Sequence, residues 1–318
     1  MRHILFIDPI EKLNIKKDSS LMIGLSFMKQ GDEAYLLFEE DFCVKTKGET
    51  KIFVYKYTGQ FKVDGFYLEK IELGDKFQLT LNSKDIIHMR IDPPYDSRYQ
   101  RYLWMLDFLS HSSGCRVVNN PNGIMKHNEK LLAFKRDNSL KSFIGSSVSG
   151  FKNFVAELKA EGIKDLILKP LDLYSGIGVE KVSIDNENLI SIYQAKVEKF
   201  EGAIITQAFQ TEVYSGEIRS LYLNGKEIGS ILKKPVDGAF LANIAQGAKF
   251  ESIELDDKIK AECDEIAKDL MDDGVNFIAY DILAGAVTEV NVTCPGLLVE
   301  VSYALNENMA HVYAYSFQ

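Results

Sequence analysis

Asp281, Glu289 and Asn291 are the residues whose types and spacing could do chemistry. They fall in the stretch from Ile278 to Gly296, which reads as two strands rich in β-branched residues, joined by the small-residue turn Ala284-Gly285-Ala286. Side chains alternate faces along a strand, so Glu289 and Asn291 point the same way and Asp281 on the antiparallel partner reaches that face. Two carboxylates and an amide oxygen are hard ligands. Such a set suits Mg²⁺, which keeps several waters and takes one or two carboxylates together with the phosphates of a nucleotide. The chemistry this predicts is phosphoryl transfer. The wet face of an antiparallel sheet would also carry polar residues. Against that, acids and Asn are depleted in strands, and the second strand runs into Thr293-Cys294-Pro295-Gly296, a turn that could present backbone amides to an anion.

Two lysines could serve the same chemistry. Lys169 ends an apolar run just before Pro170, and Lys130 lies in the loop-helix segment that precedes it, so both can converge on a nucleotide. A solvated lysine is the alternative for each. After Pro170 comes a loop, Leu171 to Gly178, and then a returning strand from Val179 to Ile184. A glycine-containing tip of this kind can lay backbone N–H groups over phosphates, but it can equally be an ordinary turn.

The elements that must position these groups fall into three lobes, 1–122, 123–202 and 203–318. The chain has 318 residues, 46% of them hydrophobic and 26% charged, which is more than one typical domain and ample for a core. Ile4 to Ile7 is a short buried strand. A helix capped by Asp18 or Ser19 carries Leu21, Leu25 and Met28 on one side and stops at Gly31, and Ala34 to Phe38 is the next strand, in β-α-β order. Residues 42–82 alternate apolar and polar as antiparallel excursions, before a strand from Asp85 to Arg90. A helix from Arg98 to His111 follows, whose aromatics are core, and then a strand from Cys115 to Val118. In the third lobe, the amphipathic helix from Asp257 to Met271 precedes the acidic hairpin.

Bulk properties exclude several functions. A net charge of −9 and a pI near 5.2 argue against sequence-independent binding to nucleic acid. No apolar run is long enough to span a bilayer or to act as a signal peptide, so a cytoplasmic protein is expected. The four cysteines are far apart, with no paired metal spacing. Cys294, before Pro-Gly and with no His nearby in sequence, reads as a wall residue more than a nucleophile.

Taken in order, Asn128-Glu-Lys130, Leu168-Lys-Pro-Leu-Asp172, Gly216-Glu-Ile-Arg219, Asp281 and Thr288 to Thr293 resemble the ATP-grasp enzymes, and specifically prokaryotic glutathione synthetase. The resemblance extends to Asp8-Pro-Ile10, Asn14 to Ser20, Met89 to Asp96 and Asn119-Asn-Pro121, and so covers nearly the whole chain. It implies an α/β protein with an ATP-grasp fold behind a doubly wound N-terminal α/β domain. The implied activity is an ATP-dependent ligase in which a substrate carboxylate attacks the γ-phosphate and an amine then attacks the acylphosphate, joining γ-glutamylcysteine to glycine.

The resemblance also implies roles. Lys130, Lys169 and the loop residues Ser175, Gly176 and Gly178 bind the nucleotide phosphates. Gln207, Ala208 and Phe209 form the adenine hinge, and Glu217 contacts the ribose. Arg219 is catalytic, stabilising the transferring phosphoryl group, and Asp281, Glu289 and Asn291 hold Mg²⁺, or Mn²⁺. Asp18, Ser19, Arg90, Lys233, Asn243, Thr293 and Cys294 lie at the substrates. The expected partners are ATP and small peptide or amino-acid substrates, with no nucleic acid or membrane, and the expected assembly is a homo-oligomer, dimer or tetramer.

The departures thin the charged contacts to substrate. Leu173 to Gly178 is poorer in glycine than the family's loop, Leu241 and Ala242 replace an Arg-Gly pair, Ile91 replaces a lysine, and Lys233 replaces an arginine. Two alternatives therefore stay open: a related ligase with another acid and amine, and a nucleotide-binding relative without turnover.

Overall fold

The computed structural model describes every residue except Asn243, Ala245 and Gln246. The first sheet contains β1 (Arg2–Ile7), β2 (Glu33–Leu37), β3 (Lys51–Phe61), β4 (Leu68–Thr80), β5 (Asp85–Arg90) and β6 (Arg116–Val118), in the order β4-β3-β2-β1-β5-β6. Strands β2, β1, β5 and β6 run parallel, while β3 and β4 form the expected antiparallel hairpin. Every residue of β5 is buried, as expected of a parallel strand covered on both faces. Helix α1 (Ser19–Lys29) starts where Asp18 accepts a bond from the Leu21 amide, and α2 (Ser97–Ser113) is capped by Asp96 and ends at Gly114 in the left-handed region, φ 75°. Short helices α3 (Pro121–Lys126) and α4 (Glu129–Ala133) lead out of this lobe.

The middle sheet has β7 (Ser142–Gly145), β8 (Asp165–Pro170), β9 (Glu180–Ser183) and β10 (Ile204–Ala208) in the order β7-β10-β8-β9, backed by α5 (Val148–Ala160) and α6 (Leu189–Lys199). Residue 203, expected to open a third lobe, stands directly before β10, which pairs with both β7 and β8. Its five residues are all buried, so it completes the middle sheet before the chain moves on.

The last sheet has β11 (Glu217–Leu223), β12 (Lys226–Lys234), β13 (Lys249–Ser252), β14 (Phe277–Leu283) and β15 (Ala286–Asn291), ordered β13-β12-β11-β14-β15. Helix α7 (Asp257–Asp272) buries Ile259, Cys263, Ile266 and Leu270 against it. Helices α8 (Leu298–Leu305) and α9 (Met309–Tyr315) then return to the first lobe, where Leu298, Met309 and Tyr313 share a core with Leu5, Leu21 and Phe27. The end of the chain thus closes the N-terminal lobe, which a linear division into three lobes does not express. Among the described residues, no helix is long and apolar enough to cross a membrane.

Candidate active site

A cavity of about 460 Å³ opens where the three sheets meet. Every residue expected at the site lines it, save two. Asn243 lies outside the described residues. Gly178 is not in the cavity wall: its carbonyl accepts from Lys196 Nζ at 2.8 Å, its φ is +76°, and a Cβ would stand 2.7 Å from the Phe200 ring. Its glycine character serves a turn rather than a phosphate.

Strand register assembles the acidic hairpin as expected. Asp281 stands opposite Glu289 on β15 and opposite Arg219 on β11, while Glu217 stands opposite Lys233 on β12. Arg219 grips Asp281 with two bonds, Nε to Oδ1 at 3.0 Å and Nη2 to Oδ2 at 2.7 Å. Lys233 Nζ donates to Asp281 Oδ1 and to Glu217, each at 2.8 Å, and Asn291 Nδ2 donates to Asp281 Oδ2 at 3.2 Å. Burial alone would raise the Asp281 carboxyl, but Arg219 and Lys233 outweigh it and hold the group well below the usual carboxylate range. On the other side, Lys130 Nζ bonds Glu289 at 2.9 Å and the Leu173 carbonyl at 2.7 Å.

The donor set fits a hard divalent cation that completes its shell with water and phosphate. Asn291 turns its NH₂ toward Asp281 and the Ala279 carbonyl, which leaves its amide oxygen as the coordinating atom. Among the described residues no group of three His, Cys, Asp or Glu forms a full protein cage. A cation held by the two carboxylates and the amide would exchange with Lys130 at Glu289 and with Lys233 or Arg219 at Asp281.

The middle lobe supplies the opposite wall. Lys169, on β8, donates to Gln207 Oε1 at 3.3 Å, and Gln207 Nε2 donates to Ser142 at 2.8 Å. Burial brings the Lys169 ammonium down to about 8. The Phe209 amide is fixed to the Asp165 carbonyl, and Lys181 Nζ lies 3.9 Å from the centre of the Phe209 ring. The loop beyond β8 is tied down by its carbonyls, since Asn128 Nδ2 donates to Leu171, the Tyr95 amide to Asp172, and Lys130 to Leu173.

The start of the turn after β15 is tied down. The Val292 and Thr293 amides and the Thr293 hydroxyl all donate to Glu129 Oε1, at 2.7, 2.9 and 2.8 Å. These donors are spent inside the protein, so the turn does not offer them to an anion. Glu129 is the positioning residue that the sequence reading passes over, although it stands within the quoted Asn128-Glu-Lys130. Cys294 donates to the Arg90 carbonyl at 3.4 Å, and burial pushes its thiol well up, which suits a wall residue and not a nucleophile.

Among the residues expected at the substrates, Ser19 and Arg90 form a joint between lobes. Ser19 Oγ accepts from the Leu298 amide, Ser20 Oγ accepts from Arg90 Nε at 2.9 Å, and Arg90 Nη2 reaches the Pro295 carbonyl at 2.8 Å. Asp18, the α1 cap, is pushed up to about 6 by burial. Glu300, which the sequence reading does not single out, also lines the cavity.

Comparison with known proteins agrees with this layout. The chain matches the family models described as "Prokaryotic glutathione synthetase, N-terminal domain" over residues 1–125 and "Prokaryotic glutathione synthetase, ATP-grasp domain" over 129–306. It is 30% identical to a glutathione synthetase of Nostoc sp. over 233 residues, 73% of this chain and 70% of that one. It is 26% identical to one of Parasynechococcus marenigrum over 311 residues, 98% of this chain and 96% of that one. Among solved structures, the D-cycloserine synthetase DcsG superposes with a TM-score of 0.68 at 14% identity, covering 99% of this chain and 100% of that one. The ATP-grasp ligase PsnB, complexed with a phosphomimetic variant of a minimal precursor, Mg and ADP, gives 0.63 at 16%, covering 98% and 96%. At such identity these two show the fold alone.

Proposed function

The chain belongs to the prokaryotic glutathione synthetase family, and on that premise we propose that it is an ATP-dependent ligase joining γ-glutamylcysteine to glycine through an acylphosphate, with release of ADP and phosphate. The observation that carries the reading is the arrangement of charge across the cavity, with Asp281, Glu289 and Asn291 on one wall and Lys130, Lys169 and Arg219 turned toward the same space. Phosphoryl transfer depends on positioning and on neutralising charge rather than on a protein nucleophile, and this cavity offers those two things.

Lys130 and Lys169 hold the nucleotide phosphates, Gln207 to Phe209 bracket the base, and Glu217 meets the ribose. Arg219, oriented by its two bonds to Asp281, places its remaining N–H groups toward the transferring phosphoryl. Asp281, Glu289 and Asn291 would hold Mg²⁺, with Mn²⁺ as a substitute; when bound, the cation neutralises the phosphate oxygens. Asp18, Ser19, Arg90, Lys233 and Cys294 shape the acid and amine side. We place the protein in the cytoplasm as a homo-oligomer, dimer or tetramer, an assembly that light scattering on the purified chain tests.

The deciding experiment is ADP and phosphate release with Mg-ATP, γ-glutamylcysteine and glycine, against controls omitting each. Release that needs all three, with glutathione as product, establishes the reading. A second reading, another acid and amine on the same nucleotide machinery, is favoured by Leu241 and Ala242 in the cavity wall and by Lys233 being engaged with Glu217 and Asp281. Turnover with another pair and none with γ-glutamylcysteine and glycine would select it. Binding of ATP without turnover under any pair would select a noncatalytic relative.

A further inference from the structure

Two buried ionic groups of opposite sign in the cavity wall each have an atom to spare. Glu300, in the first turn of α8, is 4% exposed, and its Oε2 has no hydrogen-bond partner among the described residues. Arg90, also 4% exposed, uses Nε on Ser20 and Nη2 on Pro295, while Nη1 has no partner. Leaving such an atom buried and unbonded is costly, and more so for a charged group. Both side chains line the cavity, so a ligand seated there meets these enclosed atoms once the side chains turn toward it.

Both groups are mounted on one junction. Ser19 accepts from the amide of Leu298, the first residue of α8, and its neighbour Ser20 accepts from Arg90. Lys17 and Arg219 are the charged groups that bear on Glu300, and neither donates to Oε2. Arg219 is the residue assigned to the transferring phosphoryl, and Glu300 lines the same cavity. Burial holds its carboxyl above the usual range, which makes it a stronger base than a surface glutamate.

Building on the ligase reading above, we propose that Glu300 binds the ammonium of the amine substrate and takes the proton that this group loses before its nitrogen attacks. The amine is an amino-acid zwitterion whose carboxylate pairs with Arg90 Nη1. The ammonium gives one proton to Glu300 Oε2, and the freed lone pair forms the C–N bond to the acyl carbonyl. The C–O bond to the phosphoryl group breaks, its electron pair leaves with phosphate, and the second proton lost from nitrogen goes to that phosphate.

The test compares two nucleophiles on the same acylphosphate, in the full chain with Mg-ATP and γ-glutamylcysteine. Glycine arrives as an ammonium, whereas hydroxylamine is uncharged at neutral pH and needs no base to begin its attack. Glu300→Gln is close to isosteric, and it is expected to lower kcat/KM for glycine by roughly 100-fold or more. Hydroxamate formation should fall far less, with ATP affinity and KM for γ-glutamylcysteine unmoved. Equal loss with both nucleophiles, or glycine ligation at the wild-type rate, overturns the assignment. Wild-type protein that makes neither product removes the ligase reading and this inference together. Wild-type turnover with an indifferent variant removes this inference alone. If the Gln variant does not fold, Glu300→Asp, which keeps the charge but shortens its reach, carries the same comparison.

Discussion

Asp281 and Glu289 face each other across the β14–β15 ladder, and each is paired with a cation, Asp281 with Arg219 and Lys233 and Glu289 with Lys130. The two acids differ in what they support. Asp281 is 5% exposed and is the anion to which a buried and a half-buried cation are bonded, whereas Glu289 is half-buried and Lys130 has the Leu173 carbonyl as a second partner. Asp281→Asn should therefore leave Arg219 and Lys233 undercompensated and destabilise the protein by about 3–5 kcal/mol, read as a fall in denaturation midpoint.

Glu289→Gln should abolish turnover and leave the melting temperature near wild type. The amide still accepts from Lys130 but is a poor ligand for a hard cation, so transition-state stabilisation is lost rather than packing. ADP release and a thermal melt on the same preparation check both halves, and a variant at wild-type rate would remove this hairpin from the metal site.

Lys169 makes the site sensitive to alkali. Its ammonium titrates at about 8 in the folded protein, below its ordinary value of 10.5. Between those values the unfolded chain binds more protons, so this group's contribution to stability rises with pH across the window. Nucleotide binding runs the other way, because only the charged lysine neutralises phosphate. ATP affinity should weaken as pH rises through about 8, and Lys169→Arg, charged throughout, should flatten the profile measured by calorimetry.

Glu129→Ala removes one carboxylate and strands the donors of Val292 and Thr293. A buried donor left unsatisfied costs about 1–3 kcal/mol, so destabilisation of about 3 kcal/mol is expected. Since the turn 292–296 carries Cys294 and the Pro295 carbonyl that holds Arg90, KM for the acid or amine should rise as well. Glu129→Gln, which keeps one acceptor oxygen, should recover most of both losses.

What the sequence made legible, and what it did not, follows from how local each signal is. The acidic hairpin announces itself through β-branched runs around a small-residue turn, and alternation alone puts Asp281, Glu289 and Asn291 on one face. Helix α2 is framed by Asp96 and Gly114, local caps that any strand or helix reading can use. The pairing of Asp281 with Arg219 depends instead on which strand lies beside β14, and the β11–β14 pairing spans 62 residues of sequence. Glu129 and Glu300 escape for a related reason: their significance lies in the turn that one holds and in the partner that the other lacks, and neither property leaves a pattern along the chain. Gly178 shows the opposite failure, since a glycine in a phosphate-side loop has the right composition, and only its Phe200 neighbour reveals the turn that needs it.

The C-terminal helices give the last prediction. Tyr313 of α9 reaches across to β5, where its hydroxyl and His88 Nδ1 stand 2.9 Å apart, and His88 Nε2 in turn lies 3.0 Å from His3 Nδ1. All three side chains are buried, and burial lowers His3 to about 4 and His88 well below its ordinary value, so both rings are neutral at pH 7. In the neutral chain His88 donates through one nitrogen and accepts through the other, linking His3 Nδ1 to the tyrosine hydroxyl, while His3 Nε2 has no hydrogen-bond partner among the described residues. Tyr313→Phe breaks this link at one end and leaves a buried ring nitrogen without its partner, which should cost about 1–3 kcal/mol. The ring itself stays, packed on Phe277 and Phe317, so α9 remains docked. Because His3 and His88 are held neutral only by the fold, acid should unfold the protein as they charge. The wild-type loss of stability should be shared by these two histidines as pH falls from about 6.5 toward 4. Chemical denaturation at pH 7 and pH 5 checks the sign: both wild type and Tyr313→Phe should be less stable at pH 5. The variant should lose about as much on acidification, because both rings stay neutral in the folded protein at pH 5 and the loss comes from proton uptake by the unfolded chain.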